Sequence, residues 1–426
     1  MERKFLYHKF FHSLASSLVN PFMPIFALRL RASSIEIGAV STFPSLLNIY
    51  GQLLWGSIGT LARNRKSLML LGGLIYASFY LLIAHAATPQ ELILLLTIQS
   101  FFFSAFVTYY LELLSLNLPR YKRGSALGKL NVAASLGSFF GNLAGGWILH
   151  EYGFIPAIFY FSTFFTILGL MFLSKTEYYT TSPKRMKMFK EALKNKRLTY
   201  FLFVMCCFDF VSSLPGPFFS IYLVTNLNGT LFDLALLGII GIVVGGLFYD
   251  SWGWVVDFLG RRATMIGTLV PITLTPLVYF LAGDVVPIYL YTFISSLSWA
   301  GFNLATSAYL FDIVRRDLSL VEIALFNTLT GTASSIAPLI GGAIVENFGI
   351  RAAFLLSFLL RLLVILPFLR LRETKGPIKE KILRGSGEET KEILRNTYLI
   401  YSSLLTRMGS RGSRLRRRLR VTRVFS

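Results

Sequence analysis

The sequence predicts an all-α integral membrane protein, with about twelve transmembrane helices in two pseudo-symmetric six-helix bundles. Three observations carry this reading. Apolar stretches of roughly 20 residues recur along the chain, each long enough to cross about 30 Å of hydrocarbon at about 1.5 Å of rise per residue. Basic residues crowd alternate loops. Phrases of the first half return in the second: "SSLVNPF" from Ser16 to Phe22 and "SSLPGPF" from Ser212 to Phe218 are 196 positions apart.

The spans are placed near residues 8–28, 35–60, 67–86, 90–114, 125–149, 155–174, 199–224, 232–256, 263–282, 286–312, 322–346 and 351–369. The first follows Arg3 and Lys4 and is interrupted by His8, Lys9 and His12, so it reads as the start of helix 1 and not as a cleaved signal. The second and third bracket "RNRK" at 63–66, and the fourth, "LLLTIQSFFFSAFVTYYLELL", stops ahead of "RYKR" at 120–123. The fifth holds the glycine run "GSFFGNLAGGWILHEYGF" at 137–154, and the sixth ends at a basic segment, 175–198. The seventh, "FVMCCFDFVSSLPGPFFSIYLV", lacks the alternation of a barrel strand. The eighth and ninth flank "GWVVDFLGRR" at 253–262, the tenth precedes Arg315 and Arg316, the eleventh repeats the glycine run, and the twelfth contains Arg361.

Composition agrees. With 54% hydrophobic residues, 15% charged and a mean hydropathy of +0.60, the chain is too apolar for a water-soluble core. A net charge of +21 invites a nucleic-acid reading, but its distribution answers that. One set of loops is rich in Lys and Arg, while the other holds only Arg29, Arg31 and Arg351. This positive-inside pattern places both termini in the cytoplasm of a cell-membrane protein and excludes nucleic acid as the reason for the basicity. Adjacent Cys206 and Cys207 suggest neither a disulfide framework nor a metal site, and no cofactor is expected.

The repeat sets the domains. In helix 11, "ASSIAPLIGGAIVENFGI" places Gly341, Gly342 and Gly349 where helix 5 has Gly145, Gly146 and Gly153, and Asn131 falls on Asn327. The expected units are a six-helix bundle at 1–174, a basic linker at 175–198, a second bundle at 199–372 and a basic tail at 373–426.

These features resemble the major facilitator superfamily of transporters. The most specific match is the glycine, aspartate and Gly-Arg-Arg signature after helix 8, met by Gly253, Asp257, Gly260, Arg261 and Arg262, with Phe258 where an Arg often follows the Asp. The copy after helix 2 keeps Gly56, Arg65 and Lys66 but has Thr60 at the Asp position. The glycine run resembles the superfamily's antiporter-associated motif, with Asn142 where proline is usual and Pro338 at the equivalent place in helix 11. The helix 4 arginine associated with proton-driven drug export has no counterpart. The resemblance implies parallel halves, a central cavity lined by helices 1, 4, 7 and 10, and helix 12 packed behind helix 7.

Site expectations follow. His12, Ser16 and Asn20 share one face of helix 1, as do Asp209 and Ser213 on helix 7. Gln99, Phe103, Phe106 and Tyr110 on helix 4, with Trp299, Asn303 and Thr306 on helix 10, complete the expected substrate pathway. Pro21, Pro24, Pro215 and Pro217 should bend helices 1 and 7 and free carbonyls towards a wet interior. Asp209 and Arg361 lie at similar depth, roughly 14–16 Å from the cytoplasmic boundary, so an ion pair is expected that either couples proton uptake to transport or is a permanent structural pair, with Arg361 snorkelling inward as the other reading. At the cytoplasmic gate, Glu112 and Asp312 are expected to pair breakably with Arg65 and Arg261. Gly137, Gly141 and Gly145 form a smooth face expected to meet a helix of the other half.

The function expected is secondary active transport of a small molecule by alternating access, without enzymatic activity and by a monomer. Export of lipophilic or aromatic compounds and proton-coupled uptake of a sugar or other metabolite both stay open. A non-transporting sensor or polytopic membrane enzyme is the alternative of another class, and the scattered acidic residues count against the enzyme. The Arg-rich tail is expected either to bind anionic lipid headgroups or to be disordered.

Overall fold

The computed structural model describes residues 2–62, 64–117, 123–176, 189–315 and 317–374. Arg63, most of "RYKR", most of the linker and the tail from Lys375 lie outside the described residues. The first bundle consists of α1 (Glu2–Val19), a 3-10 turn (Asn20–Phe22), α2 (Met23–Arg29), α3 (Ser34–Leu61), α4 (Arg65–Ile83), α5 (Pro89–Asn117), α6 (Arg123–Tyr152) and α7 (Pro156–Ser174). A short α8 (Phe189–Ala192) leads to α9 (Lys196–Ser213) and α10 (Gly216–Thr225). The second bundle continues with α11 (Leu231–Leu259), α12 (Arg261–Leu281), α13 (Val286–Ile313), α14 (Ser319–Phe348) and α15 (Ile350–Leu369).

Ten spans among the described residues are long and apolar enough to cross a membrane, counting α1–α2 and α9–α10 as one span each. The 28-residue helices α3 and α13 complete twelve. Several helices run past the apolar windows: α1 begins at Glu2, ahead of the expected residue 8. Continuing the backbone ladder through a charged end satisfies amides that would otherwise need partners at the membrane surface.

The halves repeat down to their caps. Ser33 and Glu36 form a capping box at the start of α3, and Thr230 and Asp233 form one at the start of α11. Gly153 and Gly349, aligned by sequence, end α6 and α14 with positive φ of 69° and 84°, where a Cβ would be strained. Packing repeats too. In the first bundle α1 packs on α6 and α7, α3 on α5, and α4 on α5 and α7. In the second, α9 packs on α14 and α15, α11 on α13, and α12 on α13 and α15.

Between bundles, α3 meets α14, α6 meets α11, and α10 meets α2 and α3. The tightest approaches lie at the Arg-poor end. Gly38 abuts the Pro338–Leu339 backbone, Gly342 abuts Ser34 and Ile35, and Gly146 faces Ala235. There the Ile35 amide donates to Glu346 Oε2 across the bundles at 3.1 Å. Midway, Tyr50 and Thr332 hydroxyls lie 3.2 Å apart. Beyond them, at the basic end, Leu53, Leu54 and Ile58 of α3, Leu127 and Val132 of α6, and Leu247 and Tyr249 of α11 are exposed. The bundles are thus sealed at one end and parted at the other.

The glycine stripe corrects one expectation. Gly137, Gly141 and Gly145 pack against the backbone of α1 in their own bundle, at Phe10, Leu14 and Leu18. Gly341 likewise meets Leu214 of its own bundle, and it is Gly146 and Gly342, one residue on, that face the other half. Two glycines in succession point about 100° apart on a helix, so a Gly-Gly pair serves two neighbours at once.

Candidate substrate cavity and gates

Prolines interrupt the first and seventh spans where the bundles face each other. Around Pro21 the helix passes through the 3-10 turn, and around Pro215 it breaks between α9 and α10. Two chambers meet at this level, with Asn20 and Pro24 lining both. The first, about 690 Å³, lies among α1, α3, α4, α5 and α14. The second, about 610 Å³, lies between α1 and α6 on one side and α10–α13 on the other.

His12, Ser16 and Asn20 line the first chamber together with Gln99 and Phe103. The His12 ring stacks on Phe103 at 5.5 Å and sits 6.0 Å from Tyr76. Gln99 is fixed by donating Nε2 to the Tyr76 carbonyl at 3.2 Å. Phe106 and Tyr110 are buried one layer back, 5.3 and 5.1 Å from the buried His8 ring.

The second half is arranged differently. Trp299 packs on Phe208 and Phe302, each at 5.8 Å, and Thr306 is buried in the same bundle. Asn303 is exposed, Asp209 and Ser213 are half-buried, and none of these five lines either chamber. Helical spacing identifies a face but does not say that α9 aromatics cover it. Sequence reasoning missed Ser41, Ser45 and Asn48 of α3 and Ser334 and Ser335 of α14, which supply the polar wall of the first chamber. The signal is present in the sequence: polar residues at i, i+4 and i+7 mark one helical face. The family resemblance points to other helices instead.

The expected ion pair of Asp209 with Arg361 is not formed among the described residues. Arg361 is 3% exposed and donates Nη1 to the Ile272 carbonyl at 2.7 Å and Nη2 to the Ser212 carbonyl at 3.1 Å. Pro276, four residues after Ile272, has no amide to offer that carbonyl. A guanidinium therefore satisfies acceptors that proline and a helix break leave open, and both of its terminal nitrogens point to backbone carbonyls instead of Asp209.

At the basic end each gate signature is tied within its own bundle. Arg65 is buried, pairs with Glu112 of α5 and donates Nε to the Gly59 carbonyl at 2.7 Å. Lys66 donates to the carbonyls of Ser174 and Thr176 at 2.6 and 2.5 Å, fastening α4 to the end of α7. Arg261 contacts Asp257 at 2.9 Å and Asp312 at 3.2 Å. Arg262 donates Nη2 to the Leu369 carbonyl at 2.5 Å, the counterpart of Lys66. Gly260 turns the chain with φ of 100°, leaving room for Glu373, whose carboxylate accepts the Arg261 and Arg262 amides at 2.9 and 3.0 Å and caps α12. Gly56 and Gly253 face open space.

These pairs differ in burial, which sets an expected order of effects. Arg261→Ala leaves Asp312, whose side chain is 20% exposed, without its cation, whereas Asp257→Ala removes a carboxylate that is 61% exposed. Thermal melting of the purified variants should show a loss of about 3 kcal/mol for the first and under about 1 kcal/mol for the second. Equal losses would mean that Asp312 contributes little.

Comparisons with known proteins bear on this arrangement. The chain matches the family model described as Major Facilitator Superfamily over residues 9–249 and 201–412. It is 28% identical over 248 residues to "Multidrug resistance protein MdtG" of Salmonella paratyphi B, covering 55% of this chain and 61% of that protein. The chain thus spans about three-fifths of the length of the curated relatives it matches. Among solved structures, a point mutant of the nucleoside transporter NupG superposes with TM-score 0.72 at 14% identity, covering 87% of this chain and 100% of that one. The human organic anion transporter MFSD10 gives 0.61 at 15% identity, covering 86% and 99%. Both show the shared fold.

Proposed function

Because the chain belongs to the Major Facilitator Superfamily, we propose that it is a secondary active transporter exporting uncharged lipophilic or aromatic small molecules by alternating access. The observation that carries the substrate class is the lining of the two chambers: among the described residues no Asp, Glu, Lys or Arg contributes to either. A cationic substrate would need a carboxylate in reach, and an anionic one a fixed cation. Phe103, Tyr76 and the His12 ring supply flat apolar contact, and Asn20, Asn48 and Gln99 supply orienting hydrogen bonds. The relatives named for multidrug resistance support export.

With the basic loops in the cytoplasm of a cell-membrane protein, the parted end faces inward, so the conformation is the one that loads substrate from the cytoplasm. Rocking the bundles about the midlevel contacts would close that end and open the other. Asp209, half-buried in the last turns of α9, is the proton-coupling residue in this reading, acting without Arg361.

The polar wall of α3 and α14, four serines and Asn48, favours a second reading, uptake of a hydroxylated metabolite such as a sugar. One experiment separates the two. Compounds that raise the melting temperature of the purified chain are identified from a broad library, then assayed for flux in proteoliposomes with a pH gradient, using wild type and Asp209→Asn. Neutral aromatic compounds should stabilise both proteins, with gradient-driven flux lost in Asp209→Asn. Sugars as the sole stabilising class would overturn export of lipophiles, and undiminished flux in Asp209→Asn would remove that residue from coupling.

A further inference from the structure

A recess of about 190 Å³ lies at the basic end of the second bundle, where α9 begins and α15 ends. Its walls include Lys196, Arg197, Arg370 and Arg372, with Tyr200 and Tyr309 at its back. Among the described residues none of the four cationic side chains has a hydrogen bond or ion pair. The nearest carboxylate, Glu373, is engaged by the amides at the start of α12. The tyrosines are held as well: Tyr200 donates to the Pro367 carbonyl at 3.0 Å and Tyr309 to the Arg372 carbonyl at 3.0 Å. Four cationic side chains against the one Glu373 carboxylate in the same lining leave a concave site of this size with a net positive potential.

The internal repeat shows that topology alone does not require this. Moved by 196 positions, Tyr200, Tyr309, Arg370 and Arg372 fall on Lys4, Leu113, Ser174 and Thr176. In the first half the Lys4 ammonium is already bound to the Lys175 carbonyl at 2.5 Å. Both ends face the same side of the membrane, yet among the described residues it is the second that gathers free guanidinium groups over a recess.

We propose that this recess is a binding site for the phosphate headgroup of an anionic membrane lipid. Guanidinium groups donate to phosphate oxygens in pairs, a volume of this order fits one headgroup, and the tyrosines suit the interfacial depth at which spans leave the hydrocarbon. A lipid bound there would join α9, α13 and the segment after α15, on the bundle opposite the one that holds His12 and Gln99.

Native mass spectrometry of the full chain in detergent, titrated separately with phosphatidylglycerol, phosphatidylcholine and inorganic phosphate, tests this. Phosphatidylglycerol should bind best, and Arg197→Gln/Arg372→Gln should weaken its first binding step about thirtyfold. Both side chains are exposed and unbonded, so the double variant should melt as wild type does. Arg416→Gln/Arg417→Gln/Arg418→Gln, which removes more charge from the tail, should leave that first step unchanged. Equal weakening by the tail variant, or none by the recess variant, would overturn the site. Inorganic phosphate binding without phosphatidylglycerol binding would overturn the lipid and assign the recess to a soluble phosphate compound.

Discussion

Gly141→Leu is expected to yield no folded protein, whereas Gly128→Leu on the same helix should fold as wild type does. A Cβ at 141 would lie 2.5 Å from the Leu14 carbonyl oxygen and 2.9 Å from Ser17 Cβ. The nearer obstacle is backbone, which cannot rotate away. Gly145 repeats the geometry one turn on, 2.5 Å from the Leu18 carbonyl oxygen, so α1 and α6 touch along several turns with no side chain between them. Even Gly141→Ala sets two effects against each other. Alanine gains up to about 1 kcal/mol of helix propensity, but the overpacking costs about 1–3 kcal/mol, so a net loss is expected. At Gly128, where nothing lies within 4 Å of a Cβ, only the propensity gain remains. Fluorescence-detected size-exclusion chromatography and melting curves of these variants would read this out. A monodisperse Gly141→Leu peak would mean that α1 and α6 can separate without loss of the bundle.

Much of this architecture is legible in the sequence because the bilayer forces simple rules on it. Spans must be about 20 apolar residues, and loop charge is biased by side, so Arg29, Arg31 and Arg351 mark one face and "RNRK" the other. The repeat is legible because the same packing problem is solved twice, with Gly145–Gly146 and Gly341–Gly342 at matched positions. What escapes is the identity of neighbours. A glycine face announces close approach without saying to which helix, so the α6 stripe reads as facing the other bundle when it fits α1. Arg361 and Asp209 share a depth, but depth is one coordinate of three, and the proline-freed Ile272 carbonyl takes the guanidinium. The cavity is half legible. His12, Ser16, Asn20, Gln99 and Phe103 are found from helical spacing, whereas Ser41, Ser45 and Asn48 carry the same signal on a helix not expected to line the path.

Gly38→Leu should act on conformation and leave folding intact, because its contact lies between bundles. Its Cβ would lie 2.3 Å from the Pro338 carbonyl oxygen and 2.9 Å from Leu339 Cα, just as one at Gly342 would lie 2.4 Å from the Ser34 carbonyl oxygen and 2.9 Å from Ile35 Cα. Both contacts exist only while the Arg-poor end is shut. Overpacking of about 1–3 kcal/mol there penalises one state and spares the other, shifting their ratio by about 5- to 150-fold. The substitution at Gly141 burdens a contact made in both states, which is why its penalty falls on folding. Transport by Gly38→Leu should therefore drop at least about tenfold while the melting temperature stays near that of wild type. The population shift can be measured with Asn20→Cys, a position lining both chambers, in a Cys206→Ala/Cys207→Ala background. Labelling by an impermeant maleimide applied to the Arg-poor face should accelerate when Gly38→Leu is added. An unchanged rate would mean that the α3–α14 approach is no gate and that the seal rests on α6 and α11, where Gly146 faces Ala235.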